Sequence, residues 1–294
     1  MYRIKIEGAI DLHCHAGPDT IGGTLDYTEH HPVDAVAAAR EAAAEGHAAV
    51  VLKSHSFASP VLARTVDDLV PGIRVFGGIC TDGPTGGLNV GAVEAALSMG
   101  AKVVWLPTVN STQDFERFRV KWPHLHLRGG AIPVVDDHGH PVPAVNEIAD
   151  LVHDKGAVLA TGHTTAREHY AVVKALAPRC PIVVTHAGET RAGPALSAVE
   201  CSELADLGAT IEISAQTCRD QRMSDTDKCV SYIREIGVDR CTLSSDYGWF
   251  LDAPHPAAGL SEFYEFLWGA GVSEAELKRM ASANPARLLD IQVP

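Results

Sequence analysis

Eight short apolar runs, each followed by a stretch of helical periodicity, recur from one end of this 294-residue chain to the other. The runs fall at residues 9–13, 48–53, 74–80, 101–106, 157–161, 181–185, 209–214 and 241–245. Helical patterns occupy 32–45, 57–70, 88–99, 143–154, 165–177, 194–207, 224–236, 257–269 and 273–289. Strict alternation of strand and helix predicts parallel strands joined by right-handed crossovers. Eight such units in a chain of this length predict an α/β fold of the (β/α)8 barrel type, the TIM-type barrel. An open doubly wound sheet is the runner-up, but its usual glycine-rich phosphate motif is not seen after the first strand. An amphipathic piece at 113–120 and a β-hairpin, 130–135 and 140–142 about the turn Asp136-Asp137-His138-Gly139, read as a small insertion after strand four. No linker or shift of composition divides the chain, so residues 1–294 are expected to form a single domain.

In such barrels the C-terminal ends of the strands carry the active site. Here strand one ends in Asp11-Leu12-His13-Cys14-His15, strand two in Lys53-Ser54-His55, strand five in Thr161-Gly162-His163, strand six in Thr185-His186-Ala187-Gly188 and strand eight in Ser244-Ser245-Asp246-Tyr247. Four strands thus end in histidine and one in aspartate, a placement that scattered core histidines would not produce. Alternate side chains of a strand share a face. His13 and His15 are therefore expected to point together at one metal ion, with Ile10, Leu12 and Cys14 on the opposite face. Asp11, one layer behind, could take the spare ring N–H of a ligand. Zinc is the default metal for such a set, with manganese, iron and nickel open.

The charge balance is acidic, formally −13, so neither nucleic acid nor an anionic membrane is an expected partner. No apolar run reaches the roughly 18–20 residues of a membrane span, and the first residues hold no apolar signal core. Seven scattered cysteines include no Cys-x-x-Cys pair, which argues against a disulfide framework and for a cytoplasmic protein with small buried thiols. Because dimers are common among soluble enzymes, a homo-oligomer is expected.

Taken in order, Asp11-Leu12-His13-Cys14-His15, Gly162-His163, Thr185-His186-Ala187-Gly188, Ser245-Asp246-Tyr247 and Asn284-Pro285-Ala286-Arg287-Leu288-Leu289 resemble the amidohydrolase superfamily. Ser-Asp-Tyr and the closing Asn-Pro-Ala-Arg-Leu-Leu are most similar to the branch holding aminocarboxymuconate-semialdehyde decarboxylase. The first 55 residues also resemble the polymerase-and-histidinol-phosphatase group, with Lys53-Ser54-His55 standing where that group has Thr-Asp-His. The resemblance implies His13, His15 and His163 as metal ligands. It implies Asp246 as a ligand, the proton acceptor for an attacking water, or both. It implies His186 as a ligand of a second metal or as an acid/base. Strand four ends Trp105-Leu106-Pro107-Thr108, without the bridging lysine or glutamate the family often supplies there, which implies a single metal.

Lys53 shares a face with His55, and three readings stay open for it: a carbamate bridging two metals, an ammonium holding a substrate carboxylate, or a structural partner of Asp11 or another interior acid. His55 is read as facing the substrate or the metal. Arg191 with Glu189, and Arg219 with Gln216, could grip a polar substrate from the loops after strands six and seven. Asp19, His30 and His31 read as solvated loop, Asp136, Asp137 and His138 as turn geometry, Trp105 as barrel packing, and Cys14 as unreactive. A metal would bring water to a pKa of about 7, with Asp246 as its proton acceptor and His186 or Lys53 steadying an oxyanion. The expected activity is hydrolysis of an amide, cyclic amide, lactone or related bond in a small carbonyl substrate. Alternatives are a metal-dependent decarboxylase, a phosphoesterase or a non-catalytic metal-binding barrel.

Overall fold

The computed structural model describes residues 4–19, 32–122, 127, 129–219, 227–249 and 252–293. Its strands are β1 (Ile10–His15), β2 (Ala49–Lys53), β3 (Arg74–Cys80), β4 (Ala101–Trp105), β5 (Val158–Ala160), β6 (Ile182–Val184), β7 (Thr210–Ser214) and β8 (Cys241–Ser244). All pair in parallel, each with its successor in sequence, in one eight-stranded sheet. Just past β8 the backbone meets β1: Asp246 N–H donates to His13 O at 2.9 Å and His15 N–H to Tyr247 O at 2.9 Å. This closes the ring, so the expected (β/α)8 barrel is the fold.

The helices are α1 (Ala35–Ala44), α2 (Pro60–Leu69), α3 (Val90–Ser98), α4 (Phe115–Lys121), α5 (Pro143–Asp154), α6 (Ala166–Leu176), α7 (Ala198–Asp206), α8 (Ala215–Arg219), α9 (Asp227–Ile236), α10 (Pro256–Gly269), α11 (Glu274–Lys278) and α12 (Asn284–Leu289). The first begins later than Pro32, because Asp34 caps it: its carboxylate accepts from Ala37 N–H at 2.8 Å. The single C-terminal helix expected over 273–289 is broken by a π-turn, Arg279–Ala283, between α11 and α12. Asn284 then ties α12 to the entry of β8, donating to Val238 O and Cys241 O at 2.8 and 2.7 Å. The expected hairpin is reduced to one antiparallel bridge, Val135 to Pro141, around a turn in which Asp136 accepts from the N–H groups of His138 and His140. All seven cysteines are free and buried. Among the described residues no helix is long and apolar enough to cross a membrane.

Two apolar layers position the site. Inside the barrel, Ile10, Leu12, Val51, Phe76, Val103, Trp105, Val158 and Val183 pack together, drawn from six successive strands. Outside, Ile211, Ile213 and Leu243 pack under the helices, which turns Glu212, Ser214, Thr242 and Ser244 inward by alternation. The expected face-sharing of Ile10, Leu12 and Cys14 fails. The β1–β2 register shifts between Asp11 and Cys14, so Ile10 and Leu12 join the interior while Cys14 packs with Ala38 and Val50 beneath α1. Irregularities of this kind re-aim side chains beside active sites, and here the shift leaves both His13 and His15 facing the cavity mouth.

Gly248 shows how tightly the β8–β1 closure is packed. Its φ is +115°, and a Cβ would lie 1.7 Å from His15 O. Gly248→Ala is expected to destabilise the fold by more than about 3 kcal/mol, through clash and backbone strain together. A denaturant titration showing less than about 1 kcal/mol of loss would contradict that packing.

Candidate active site

His13, His15, Lys53, His55, His163, His186 and Asp246, every strand-end candidate named from the sequence, are buried around the C-terminal mouth of the barrel. Lys53, His55, His163, His186, Asp246, Glu189, Ala192 and Trp249 line the cavity at this mouth. The donor atoms of His13, His15 and Asp246 all lie within 4.8 Å of one another. His13 Nε2 is 3.0 Å and His15 Nε2 3.3 Å from the same oxygen, Asp246 Oδ1. His163 Nε2 faces His186 Nε2 at 3.0 Å. The rings of His13 and His186 are 6.0 Å apart, and those of His163 and His186 4.7 Å.

Partners behind these rings fix which nitrogen each presents. His13 Nδ1–H donates to Glu212 at 3.1 Å, which turns Nε2 toward Asp246. Nδ1 of His163 lies 3.1 Å from Asp114 Oδ2 without a hydrogen bond between them, and its Nε2 faces His186. For His55 the chain of donors is explicit. The Thr108 hydroxyl donates to Asp82, so at 2.6 Å it accepts from His55 Nδ1–H, and His55 Nε2 remains an acceptor. Orientation of a ring by a partner on its second nitrogen is the usual support of metal-ligating histidines.

Glu212 is the central support, and sequence reasoning missed it. Its carboxylate accepts from His13 on β1, from His186 N–H at 2.7 Å and from Ser244 Oγ on β8 at 2.7 Å. An acid alternating with Ile211 and Ile213 in a buried strand was the available signal. The role expected of Asp11 is therefore corrected: its Oδ1 accepts backbone N–H groups of His13 and Ser245, at 3.1 and 3.0 Å, and holds the closure rather than a ring nitrogen. Asp82, directly after β3, and Asp114, in the loop after β4, were also missed.

The expected pairing of Lys53 with Asp11 or another interior acid is not found. Among the described residues no carboxylate lies within 4.0 Å of its Nζ, which sits 2.8 Å from His13 Nε2 and 5.5 Å from the centre of the Trp105 ring. Neither arginine lines the cavity. Arg191 is exposed, and it is its backbone N–H that donates to Glu189. Arg219 is exposed and paired with Glu262. Asp19 is buried and accepts from Ser56 Oγ, so it is not a solvated loop residue. His30 and His31 lie outside the described residues.

Electrostatics single out one ring. Burial and Lys53 depress His13, but Asp246 and Glu212 outweigh them and raise it to about 9. Burial dominates at the others: His15 falls to about 4, His186 to about 3, and His55 and His163 well below the usual range. Although burial opposes it, the proximity of His13 and His15 holds Asp246 well below the usual carboxylate range. Its backbone φ is +53° and that of His186 is +26°, conformations that non-glycine residues keep chiefly at functional sites.

These residues fit a cation. His15 Nε2 is buried without a hydrogen-bond partner, and His13 Nε2 faces the same Asp246 oxygen beside it, so both nitrogens present to one point; His13 Nε2 is the one that its raised pKa protonates. Because that nitrogen must be bare to ligate, cation binding near neutral pH is expected to release about one proton, and affinity to rise about tenfold per pH unit up to about pH 9, the His13 value. Calorimetry in buffers of different ionisation heat reads the stoichiometry; release of no proton would remove His13 from the ligand set.

The fold recurs in solved structures of low identity. The probable dipeptidase PvdM from Pseudomonas aeruginosa superposes with a TM-score of 0.64 at 12% identity, over 96% of this chain and 94% of that one. An amidohydrolase from Pseudomonas aeruginosa gives 0.62 at 12% identity, over 96% and 95%. A 2,6-dihydroxybenzoate decarboxylase gives 0.55 at 14% identity, over 98% and 100%. No curated protein matches the sequence. A family profile described as "Family of unknown function (DUF6282)" matches residues 8–212.

Proposed function

The chain belongs to the family of unknown function DUF6282, and from that premise we propose that it is a metal-dependent hydrolase of the amidohydrolase type. The observation that carries the reading is the convergence of His13, His15 and Asp246 on one point, with His13 held from behind by Glu212. His163 and His186 complete the ring of donors. A divalent cation, zinc by default, would supply a water of lowered pKa and polarise a carbonyl at this point. Asp246, ionised across the neutral range, accepts the proton of an attacking water and passes it to a leaving group of higher basicity. His186, neutral and beside His163, donates or accepts at the reacting oxygen, and His55 Nε2 accepts from a substrate N–H or O–H. A small carbonyl substrate, an amide, cyclic amide, lactone or related ester, matches this set of groups.

Elemental mass spectrometry on protein never exposed to chelator tests the reading, followed by a screen of lactones, cyclic amides and carboxylated substrates. About one metal per chain is expected, with turnover that chelation removes and the metal restores. No metal, and none taken up on soaking, would overturn the proposal. Release of carbon dioxide without net hydrolysis would move the chain to the decarboxylases instead.

A further inference from the structure

Lys53 is a buried charge that the hydrolytic reading leaves without a task. It is 2% exposed, at the end of β2, and lines the cavity. Its Nζ lies 2.8 Å from His13 Nε2, the atom that would ligate a cation. An ammonium buried with no carboxylate beside it is costly to a fold, and no structural contact repays it, since the Trp105 face offers only a cation–π approach. The other cavity groups are committed. Glu189 accepts from Arg191 N–H at 2.7 Å and Thr217 Oγ1 at 3.0 Å, Asp246 faces His13 and His15, and His55 presents an acceptor. Lys53 is thus the one cationic Lys or Arg side chain among the lining residues.

We propose that Lys53 anchors the carboxylate of the substrate, so that the substrate class is a small organic acid whose reacting carbonyl lies near its own carboxylate. This rests on the cavity's being the catalytic site. The choice of carboxylate over phosphate follows from the lining: one ammonium, with no arginine beside it, suits a single negative charge rather than a dianion. The apolar body of the acid falls against Trp249 and Ala192, which supply apolar lining. Trp249 is fixed for this by its indole N–H, which donates to Asp246 O at 3.0 Å, and by stacking on His15 at 5.2 Å.

Benzoate and benzamide, alike in shape and different in charge, are the probes. Isothermal titration calorimetry on the metal-loaded protein is expected to show benzoate binding at least about tenfold more tightly than benzamide. In Lys53→Gln the ratio should fall to about one with metal content unchanged. A preference that survives in K53Q at full metal content would assign the carboxylate to the metal and overturn the proposal, as would equal binding of both probes by the unsubstituted protein. Should K53Q not fold, the same pair is titrated into Lys53→Met, which keeps the stem and removes the charge. A ratio near one at full metal content supports the assignment, and a surviving preference overturns it. Metal content, measured separately, keeps failure of this proposal distinct from failure of the hydrolase reading.

Discussion

Asp246→Asn lowers kcat by about 10²–10⁴-fold and leaves the fold intact, the range expected when a positioned proton acceptor is lost. The substitution is chosen for its backbone as much as its side chain. Residue 246 sits at φ +53°, where asparagine is among the few non-glycine residues at ease, and its N–H still donates to His13 O to close the barrel. Alanine would add a backbone cost to the chemical one. Asparagine keeps the shape and one oxygen, but it carries no charge and cannot take a proton from water. The loss of that charge also removes the larger of the two carboxylate influences raising His13, so the pH at which metal uptake becomes complete should move down. The rate is measured on whichever carbonyl substrate the screen yields, with metal content determined on the same sample. Full activity in this variant would end the proposed role of Asp246.

The barrel was legible because it is repetitive: a short apolar strand and a helix, eight times, leave few other arrangements. The histidines were legible for a related reason, since a polar residue that ends an apolar strand is delivered to the mouth whatever the loops do. What the sequence could not give is who faces whom across the barrel. Glu212 belongs to β7 and meets His13 of β1, 199 residues away, and nothing in either stretch names the other. Asp11 was nearer in sequence and was preferred for that reason, but the register shift in β1 directs it to backbone N–H groups of the closure instead. Arg191 and Arg219 failed for the converse reason. Both follow strands that lead into the mouth, yet a loop side chain has no fixed parity, and these two point to solvent. Asp114 reaches His163 from the loop after β4, a segment with no periodicity from which to infer it.

Removing His13 and His15 together, by alanine at both positions, should take bound divalent metal from about one per chain to near zero, a loss of affinity well beyond the roughly 10–100-fold that follows loss of an outer partner. The expected size comes from how the three donors share one point. Asp246 Oδ1 is the common neighbour of both Nε2 atoms, so without them a lone carboxylate remains, faced across the cavity by His186 and His163. Glu212→Gln is the graded companion. It keeps both rings but replaces the carboxylate, held near pKa 2 by His13 against the opposing effect of burial, with an amide that no longer favours a positive charge on the far side of the imidazole. Its metal affinity should fall by about 10–100-fold, and because His13 then loses one of its two carboxylates, proton release on binding should decrease in the same variant. Correlated loss of affinity and of proton release would show that Glu212 acts through His13. Affinity lost with proton release unchanged would instead leave Glu212 as a brace between β1, β6 and β8, joined through His13, His186 and Ser244.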